Sequence, residues 1–429
     1  MSVVPHLRVE HRVDPIGIGS PRPRLSWSVP PLAGWQQRGY EIARVADDGQ
    51  QETTGLVESA CSVLVGWPFA ALRSRQQTEV RVRLVDGAGD MTEWSDPVAI
   101  EVGLLDATEW SAVPICAPTL DDDPLRPIRF RRTFVAPSDI VRARLYVSSL
   151  GIHITEINGS PVGDSVLAPG WTSYQHRLLY ETFDVTAHLR AGPNAIGVTV
   201  AEGWYRGRIG FDGGRREIYG GHIGPIAQLE IHRADGSLEA VVTDEGWRAA
   251  HGPHLGAGLY DGETYDARLA EPWSLADFDD SRWEPVDVLP SVADRLVAPT
   301  GPPVRRIEEL APVSISASPS GKTLVDFGQN VSGRLRITVQ GTSGERVTLR
   351  HAEVLEHGEL GVRPLRGAAA TDVYVLSGSG VETWEPAFTI HGFRYAEIDG
   401  WPGELRPDDV RAVVCHSDME RTGGFECSH

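Results

Sequence analysis

Short runs in which apolar and polar residues alternate recur along most of the chain. Examples are RARLYVSSL, AIGVTVAEG, AQLEIHRADG and ERVTLRHAEV, and glycine, proline, asparagine or aspartate bounds such runs. Because successive side chains of a strand point to opposite faces, this alternation predicts half-buried antiparallel strands. No long segment has the apolar spacing of an amphipathic helix. The pattern therefore predicts an all-β protein.

Composition adds tight turns and several cores to this picture. The chain contains 46 glycines and 30 prolines, and 41% of its 429 residues are hydrophobic. Glycine and proline favour turns, and the hydrophobic fraction is that of a folded chain. At roughly 100–200 residues per domain, the length predicts about three domains.

Three blocks of strands can be separated, at residues 1–105, 106–297 and 298–429. The first block has a tryptophan in an early strand, two central strands and a late WSDPV segment, which predict a fibronectin type III-like sandwich. The second block is long enough for a jelly roll of the kind that binds carbohydrates. The third block follows the linker PTGPPVRR. We expect three consecutive antiparallel β-sandwiches.

Charge and signal patterns restrict the partners and the compartment. The 59 acidic and 40 basic residues give a formal net charge of −19. An acidic excess of this size repels phosphate backbones and anionic lipids, so nucleic acid and membrane surfaces are poor partners. No secretory signal is visible in MSVVPHLRVEHRVDP, and the four cysteines form no CxxC pair. These features predict a cytoplasmic protein.

Two short motifs suggest chemistry but have simpler explanations. GKT at 321–323 resembles the end of a phosphate-binding loop, but Ser316 stands where that loop requires glycine, so we expect a turn. His351 and His357 lie six residues apart in HAEVLEH. One strand would place both on the same face, yet no third metal ligand is apparent near them.

The segment GWYRGRIGFDGGRREIYGGHIG, residues 203–224, is rich in aromatic residues, arginines and glycines. Aromatic faces can meet the C–H side of a sugar ring, and guanidinium groups can pair with its hydroxyls. An ordered structural loop would have the same composition. Carboxylates near and within this segment could bind calcium, although turn caps and ion pairs are the commoner use of such residues. They are Asp164, Asp212, Asp261, Glu263 and Asp266.

Several long motifs resemble one family of enzymes. LAPGWTSYQHRLLYETFDVT, GWYRGRIGF and LYDGETYDAR in the second block are similar to the N-terminal β-sandwich region of bacterial α-L-rhamnosidases, glycoside hydrolase family 78. DFGQNVSGRLRI, LRHAEVL, TDVYVLSG and FTIHGFRYAEIDGWPG in the third block resemble the next sandwich of that family. The first block fits the usual domain order, so the likeness covers nearly the whole chain.

The resemblance implies an inverting glycosidase that removes terminal α-L-rhamnose from glycosides and requires no cofactor. One carboxylic acid would protonate the leaving oxygen, and a second carboxylate would activate water. In the family both groups lie in an (α/α)6 barrel that follows the sandwiches. The sequence stops at GGFECSH, where that barrel would begin, so no catalytic residue is assigned. We expect the chain by itself to be inactive.

The resemblance also implies a binding site, since in some relatives the second block holds rhamnose through a calcium ion. Asp164 begins the corresponding GDSVLAPGW motif, although Ser165 stands where an amide would be expected. The calcium candidates are Asp164 and Asp212. The candidate sugar-binding residues are Asp164, Trp204, Tyr205, Arg206, Asp212 and Tyr219.

Two alternatives to the rhamnosidase interpretation remain open. One is a stand-alone rhamnose-binding lectin. The other is a structural assembly whose third sandwich has an exposed apolar face that packs against the missing barrel. The expected partners are rhamnose-containing glycosides. The rhamnosidase and structural-assembly interpretations add the missing barrel as a partner.

Overall fold

A computed structural model describes residues 5–12, 14–29, 34–46, 49–121, 123–421 and 423–428. Parts of two segments quoted above lie outside the described residues. They are the first four residues and residue 13 of MSVVPHLRVEHRVDP, and residue 429 of GGFECSH.

One compact unit comprises residues 1–111, 179–183 and 293–302. Its first block forms a two-stranded sheet of order β1-β3 and a larger sheet of order β2-β8-β7-β4-β5, with β6 added to β4. The strands are β1 (His6–Val9), β2 (Ile16–Ile18), β3 (Leu25–Ser28), β4 (Gln37–Val45), β5 (Gln51–Thr53), β6 (Val57–Glu58), β7 (Gln77–Asp86) and β8 (Val98–Val102).

The alternation along β7 explains how these sheets enclose a core. Val80, Val82 and Leu84 point inward and are buried, while the intervening side chains are more exposed. Trp27 and Tyr40 from the facing strands meet edge to face in the same core, with ring centroids 4.9 Å apart. The sandwich predicted for the first block is confirmed.

The second unit comprises residues 112–178, 184–292 and 303–429. Its first part contains a six-stranded sheet of order β13-β12-β16-β10-β19-β22 and a sheet of order β11-β17-β18. The strands of the second block are β9 (Ile115–Cys116), β10 (Ile128–Ala136), β11 (Ile140–Leu150), β12 (Ile152–Ile157), β13 (Ser160–Pro161), β14 (Leu178–Leu179), β15 (Glu181–Asp184), β16 (Gly192–Ala201), β17 (Gly224–Arg233), β18 (Leu238–Val242), β19 (Arg248–His251), β20 (His254–Gly258), β21 (Gly262–Asp266), β22 (Glu284–Pro285), β23 (Asp287–Val288) and β24 (Leu296–Val297).

The third block forms most of a ten-stranded sheet in the second unit. Its order is β20-β21-β31-β28-β33-β27-β34-β25, and β26 and β32 both pair with β27. The strands are β25 (Val304–Leu310), β26 (Ser314–Ala317), β27 (Thr323–Gln340), β28 (Arg346–Ala352), β29 (Leu355–Glu356), β30 (Glu359–Leu360), β31 (Thr371–Val375), β32 (Val381–Trp384), β33 (His391–Asp399) and β34 (Val410–Ser417).

The ten-stranded sheet extends across the boundary predicted at residue 297. Strand β21 belongs to the second block but pairs in parallel with β31. A buried cluster also joins the two blocks, since Ile152 and Val166 pack with Phe388 and Val413. This pairing and this shared core place the segment YDGETYDAR inside the combined unit.

Helical structure is slight in the part of the chain that the structure describes. The α-helix is α1 (Gly203–Arg206), and the 3-10 turns are Ala107–Glu109, Pro118–Leu120, Thr186–His188, Ala267–Leu269, Ala293–Arg295, Arg363–Leu365 and Pro407–Asp409. No helix among these residues combines the length and apolar character needed to cross a membrane. The predicted all-β fold is confirmed, with parallel pairing at β2–β8 and β21–β31.

Candidate functional site

The short helix α1 follows the buried strand β16 and leads the chain into the glycine-rich loop. Gly203 has a φ of +48°, and a Cβ at this position would lie 2.6 Å from Cγ2 of Ile152. Only glycine fits so tight a left-handed position without displacement of its neighbour. The turn places Trp204 and Tyr205 at the start of the glycine-rich loop.

Five aromatic side chains, which we call the aromatic cluster, converge at this loop: Trp171, Tyr174, Trp204, Tyr205 and Tyr219. The Trp171 and Trp204 rings are parallel to within 5°, with centroids 6.1 Å apart. Trp171 Nε1 donates a hydrogen bond of 3.2 Å to Oη of Tyr219. Tyr174 packs edge to face against both Tyr205 and Tyr219, and its burial raises the pKa of its phenol.

The aromatic cluster forms part of a cavity of about 280 Å³, which we call the aromatic cavity. Trp171 is 54% exposed, so one of its faces is open to solvent. The wall is largely apolar and is made by Trp171, Trp204, Ile209, Gly210, Leu259, Tyr260 and Ile390. A concave apolar wall with few polar groups is the usual form of a small-ligand site.

A second cavity, of about 330 Å³, shares Gly210 and Tyr260 with the aromatic cavity. Asp212 and Phe211 lie at its rim, and Phe211 is 83% exposed. The Arg366 guanidinium lies 5.9 Å from the centroid of the Phe211 ring. This adjoining cavity supplies the charged groups that the aromatic cavity lacks.

A network of charges holds the glycine-rich loop against β21. Glu202 is buried and pairs with Arg216, which also approaches Asp261 at 3.3 Å. Arg208 donates to Asp261 at 2.6 Å, and its guanidinium lies over the ring of Tyr260. Burial raises the pKa of Glu202 to about 7 and outweighs the opposing effect of the arginine.

Arg206, one of the candidate sugar-binding residues, faces inward. Its guanidinium is buried, and it donates to Oδ1 of Asp121 at 2.6 Å and to the carbonyl of Pro124 at 2.9 Å. A guanidinium with these partners anchors the base of the loop. Trp204, Tyr205 and Tyr219 lie together in the aromatic cluster.

The two calcium candidates lie in different surroundings. Asp164 is exposed, and its Oδ1 accepts a 2.8 Å hydrogen bond from Arg305. Asp212 is exposed at the tip of the loop, with a φ of +55°. Among the described residues neither belongs to a group of three convergent metal ligands. A calcium site at either carboxylate would need further oxygen ligands from backbone carbonyl groups, other side chains or water.

The remaining carboxylates of the notable segments have structural partners. Asp266 caps the following turn and forms a two-point ion pair with Arg268. Glu263 is buried, and its Oε2 accepts hydrogen bonds from the backbone N–H groups of Ala387 and Phe388. Burial raises the pKa of Glu263 to about 8. These geometries match the turn-cap and ion-pair interpretation.

Two prominent residues of the aromatic cavity, Trp171 and Tyr260, were not among the sequence candidates. Both lie in segments that the sequence had marked, GWTSY and YDGETYDAR. An aromatic residue within two positions of a glycine in a loop was the available signal. Whether its ring is exposed depends on tertiary packing, which spacing does not report.

The strand boundaries show how the HAEVLEH and GKT motifs are folded. The prediction that His351 and His357 share a strand face is wrong, because β28 ends at Ala352 and His357 is exposed in the turn between β29 and β30. GKT lies in the turn between β26 and β27, where the Gly321 N–H donates to the carbonyl of Ser318. The expected turn is confirmed.

Comparison with known families assigns the class of protein. The model described as "Rha78A-like, N-terminal immunoglobulin domain" matches residues 4–106. "Alpha-L-rhamnosidase N-terminal domain" matches residues 138–308, and "Bacterial alpha-L-rhamnosidase concanavalin-like domain" matches residues 316–416. The chain belongs to the α-L-rhamnosidase family and carries the β-domains of its N-terminal part.

Individual relatives agree with this assignment. A curated α-L-rhamnosidase of Formosa agariphila is 31% identical to this chain over 97% of it, and one of Alteromonas sp. is 33% identical over 96%. Each of these relatives is matched over 47% of its own length. The solved native α-L-rhamnosidase of Aspergillus terreus is 45% identical, with a TM-score of 0.95 over all of this chain and 50% of its own. The Streptomyces avermitilis enzyme complexed with L-rhamnose is 29% identical, with a TM-score of 0.87 over 97% of this chain and 58% of its own. The chain spans about half the length of most of these relatives.

Proposed function

We propose that this chain is the N-terminal, sugar-binding and scaffolding part of an α-L-rhamnosidase, whose whole polypeptide hydrolyses terminal α-L-rhamnosyl residues with inversion. The aromatic cavity in the second block carries the sugar-binding part of this proposal. The matched domains and the relative complexed with L-rhamnose support rhamnose-containing glycosides as the ligand class.

Rhamnose has an apolar C–H face and a methyl group on one side, and hydroxyls around its edge. The exposed face of Trp171 and the half-buried ring of Trp204 offer a platform for the apolar face. The Tyr219 hydroxyl, bonded to Trp171 Nε1, lies at the edge of this platform. Asp212 and Arg366 line the adjoining cavity and can meet the hydroxyls or the next sugar unit.

Hydrolysis is proposed for the whole enzyme, and no group described here is assigned to it. Inverting glycosidases need an acid that protonates the leaving oxygen and a base that activates water from the opposite side. The resemblance places this pair in a helical barrel. The part of the chain that the structure describes contains no such barrel, since its α-helix is the single turn α1.

The sugar-binding proposal is tested by calorimetric titration of this chain with L-rhamnose. We expect saturable binding in the native chain and a loss of about 2 kcal/mol, roughly 30-fold in affinity, in Trp171→Ala, because an exposed aromatic platform would be a binding hot spot. Trp94→Ala is the matched control, since Trp94 lies in the other unit beneath Arg81 and Arg83.

Equal affinities of the native chain and Trp171→Ala for L-rhamnose would show that the sugar binds at another site. If the titration shows no heat of binding at any attainable sugar concentration, the structural interpretation is favoured over sugar binding. Glucose serves as a second control, because it lacks the methyl group that the apolar wall would contact.

Calcium binding stays a prediction of the resemblance, and a chelator tests it. Arg305 already forms an ion pair with Asp164. A calcium ion at this carboxylate would therefore have to displace the guanidinium or bind the carboxylate beside it. We expect the affinity for rhamnose to be unchanged in EGTA. Loss of binding in EGTA, restored by added calcium, would show that the Asp164 region rearranges around the ion.

The structural alternative rests on apolar side chains at the surface of the third block. Val313 and Val381 are 66% and 69% exposed. That such side chains form one continuous face for a barrel stays a prediction. Self-association of the isolated chain, abolished by Val313→Ser or Val381→Ser, would support it.

A further inference from the structure

A second group of chemically active side chains lies in the ten-stranded sheet, and the proposed sugar site does not use it. His351 is in β28, Asp372 is in β31 and His391 begins β33, and these three strands are neighbours in the sheet. All three residues are buried. We call them the His–Asp–His cluster.

The ligand atoms of the cluster converge on one point. His391 Nε2 lies 2.9 Å from Asp372 Oδ2, and His351 Nε2 lies 3.9 Å from the same oxygen. One ligand atom from each residue lies within 4.8 Å of the other two. Ligands at zinc–nitrogen distances of about 2.0–2.1 Å in a tetrahedral site are roughly 3.3 Å apart. The His351 and His391 rings are stacked with centroids 4.3 Å apart, so these rings must rotate to bring the three ligand atoms around one ion.

One ring nitrogen of His351 has a lone pair that accepts no hydrogen bond from the described residues. Its Nδ1 lies 3.0 Å from the carbonyl oxygen of Ala370, which can only accept, so Nδ1 carries the proton and donates. Nε2 of the neutral ring is then an acceptor. It is buried and has no hydrogen-bond partner among the described residues, and it faces the carboxylate of Asp372. Two acceptors that face each other in a dry interior are stabilised by a cation or a proton between them, and at present Oδ2 is paired with Nε2 of His391 at 2.9 Å.

The other contacts of Asp372 leave one oxygen for that cation. Oδ1 accepts the backbone N–H of Glu263 at 2.8 Å and the Thr389 hydroxyl at 3.2 Å. Such outer hydrogen bonds orient a metal-binding carboxylate. Among the described residues, no arginine or lysine forms an ion pair with Asp372, whose ion-pair partners are the two histidines.

We propose that His351, Asp372 and His391 bind one divalent transition-metal ion, with Zn²⁺ as the occupant. Two imidazoles and a carboxylate suit zinc in preference to magnesium or calcium, which favour oxygen ligands alone. Three protein ligands leave a fourth position for water. The ion would tie β28, β31 and β33 together.

The direct test is the metal content of the full chain made without a histidine tag. Because the cluster is buried, the ion must be present as the protein folds, so expression is in medium supplemented with Zn²⁺ or Co²⁺. We expect close to one equivalent of metal by mass spectrometry after extensive dialysis. The cobalt form should show the intense visible absorption of a tetrahedral site.

Variants assign the ion to these side chains. His351→Gln and Asp372→Asn should each lose the retained metal and the cobalt absorption. His357→Gln should retain both, since this exposed histidine belongs to the same HAEVLEH segment. His254→Gln is the burial-matched control, because His254 is largely buried beside Glu263 but lies outside the cluster.

A wild-type measurement keeps the proposal testable if the variants fail to fold. Refolding from denaturant with Zn²⁺ should give a higher Tm than refolding with a strong chelator. Substoichiometric metal in the wild-type chain, together with the same Tm under both conditions, would overturn the proposal. The cluster would then be a buried imidazolium–carboxylate group that shares a proton.

Discussion

Among the residues of the glycine-rich loop, chemistry and position separate the binding groups from the anchors. Arg206 and Trp204 are two positions apart and were both sugar-binding candidates. Arg206 is nearly inaccessible and paired with Asp121, whereas Trp204 lines the aromatic cavity. The sequence identified the segment as unusual, but only tertiary packing determines which of its side chains point outward.

Removal of the Arg206 anchor should destabilise the second unit. Arg206→Met leaves Asp121 largely buried with His222 as its remaining ionic partner, so we expect a loss of roughly 2–4 kcal/mol in the free energy of unfolding. Arg305→Met removes exposed pairs with Asp164 and Asp418 and should cost at most about 1 kcal/mol. Urea unfolding of both variants measures the difference, and equal losses would contradict the anchoring role.

Glu202 should make stability depend on pH. Burial raises its pKa in the folded state to about 7 from an ordinary value of 4.5, so the folded chain holds the proton more tightly. This contribution is fully present below pH 4.5 and is lost as pH rises through about 7. The loss is at most roughly 3.5 kcal/mol, at about 1.4 kcal/mol for each of about 2.5 pKa units.

The measurement is urea unfolding of native chain and Glu202→Gln across that pH range. The difference between the two free energies should change between pH 4.5 and 7 in the direction that favours the variant at higher pH. Glu404→Gln, at an exposed loop position, is the control variant. A constant difference for Glu202→Gln would show that Arg216 keeps this carboxylate ionised throughout.

At the scale of elements, alternation predicted most strands because each buries one face. Strand β7 follows this rule over most of its length. The same alternation gives no information on which sheet a strand joins. Strand β21 was therefore assigned to the second block by its position in the sequence, although it pairs with β31. The His–Asp–His cluster was missed for the same reason, since its residues come from three strands that are distant in sequence.

The turn at α1 should be essential for the aromatic cavity. Gly203→Ala combines a left-handed φ with a contact of 2.6 Å to Ile152, so the helix must shift and move Trp204. We expect a loss of about 1–3 kcal/mol in stability and weaker rhamnose binding. Gly236 also has a positive φ, at +84°, but has open space around it, so Gly236→Ala should reduce stability without any effect on binding. Undiminished binding in Gly203→Ala would show that α1 does not position the cavity.

At the scale of the whole molecule, the motifs predicted the family, and the matched family models confirm it. The three models match residues 4–106, 138–308 and 316–416. The sequence could not give the relation between the second and third blocks, because the shared core of Ile152 with Phe388 depends on pairing between distant segments. The net charge of −19 fits a neutral ligand such as a sugar.

The chain alone should not hydrolyse rhamnosides. The described residues include no helical barrel to hold the acid and base, so p-nitrophenol release from p-nitrophenyl α-L-rhamnoside should equal the buffer blank. A full-length relative serves as the positive control. Turnover that copurifies with the chain and persists after a second purification would contradict the division between binding and catalysis.

The most direct test of the account is a crystal structure of this chain with methyl α-L-rhamnoside. We predict density for the sugar in the aromatic cavity, with its apolar face against Trp171 and its hydroxyls toward Tyr219 and the adjoining cavity. A sugar bound away from Trp171 and Trp204, or an empty cavity at a saturating concentration in a crystal that leaves it open, would contradict the assignment of this cavity to rhamnose.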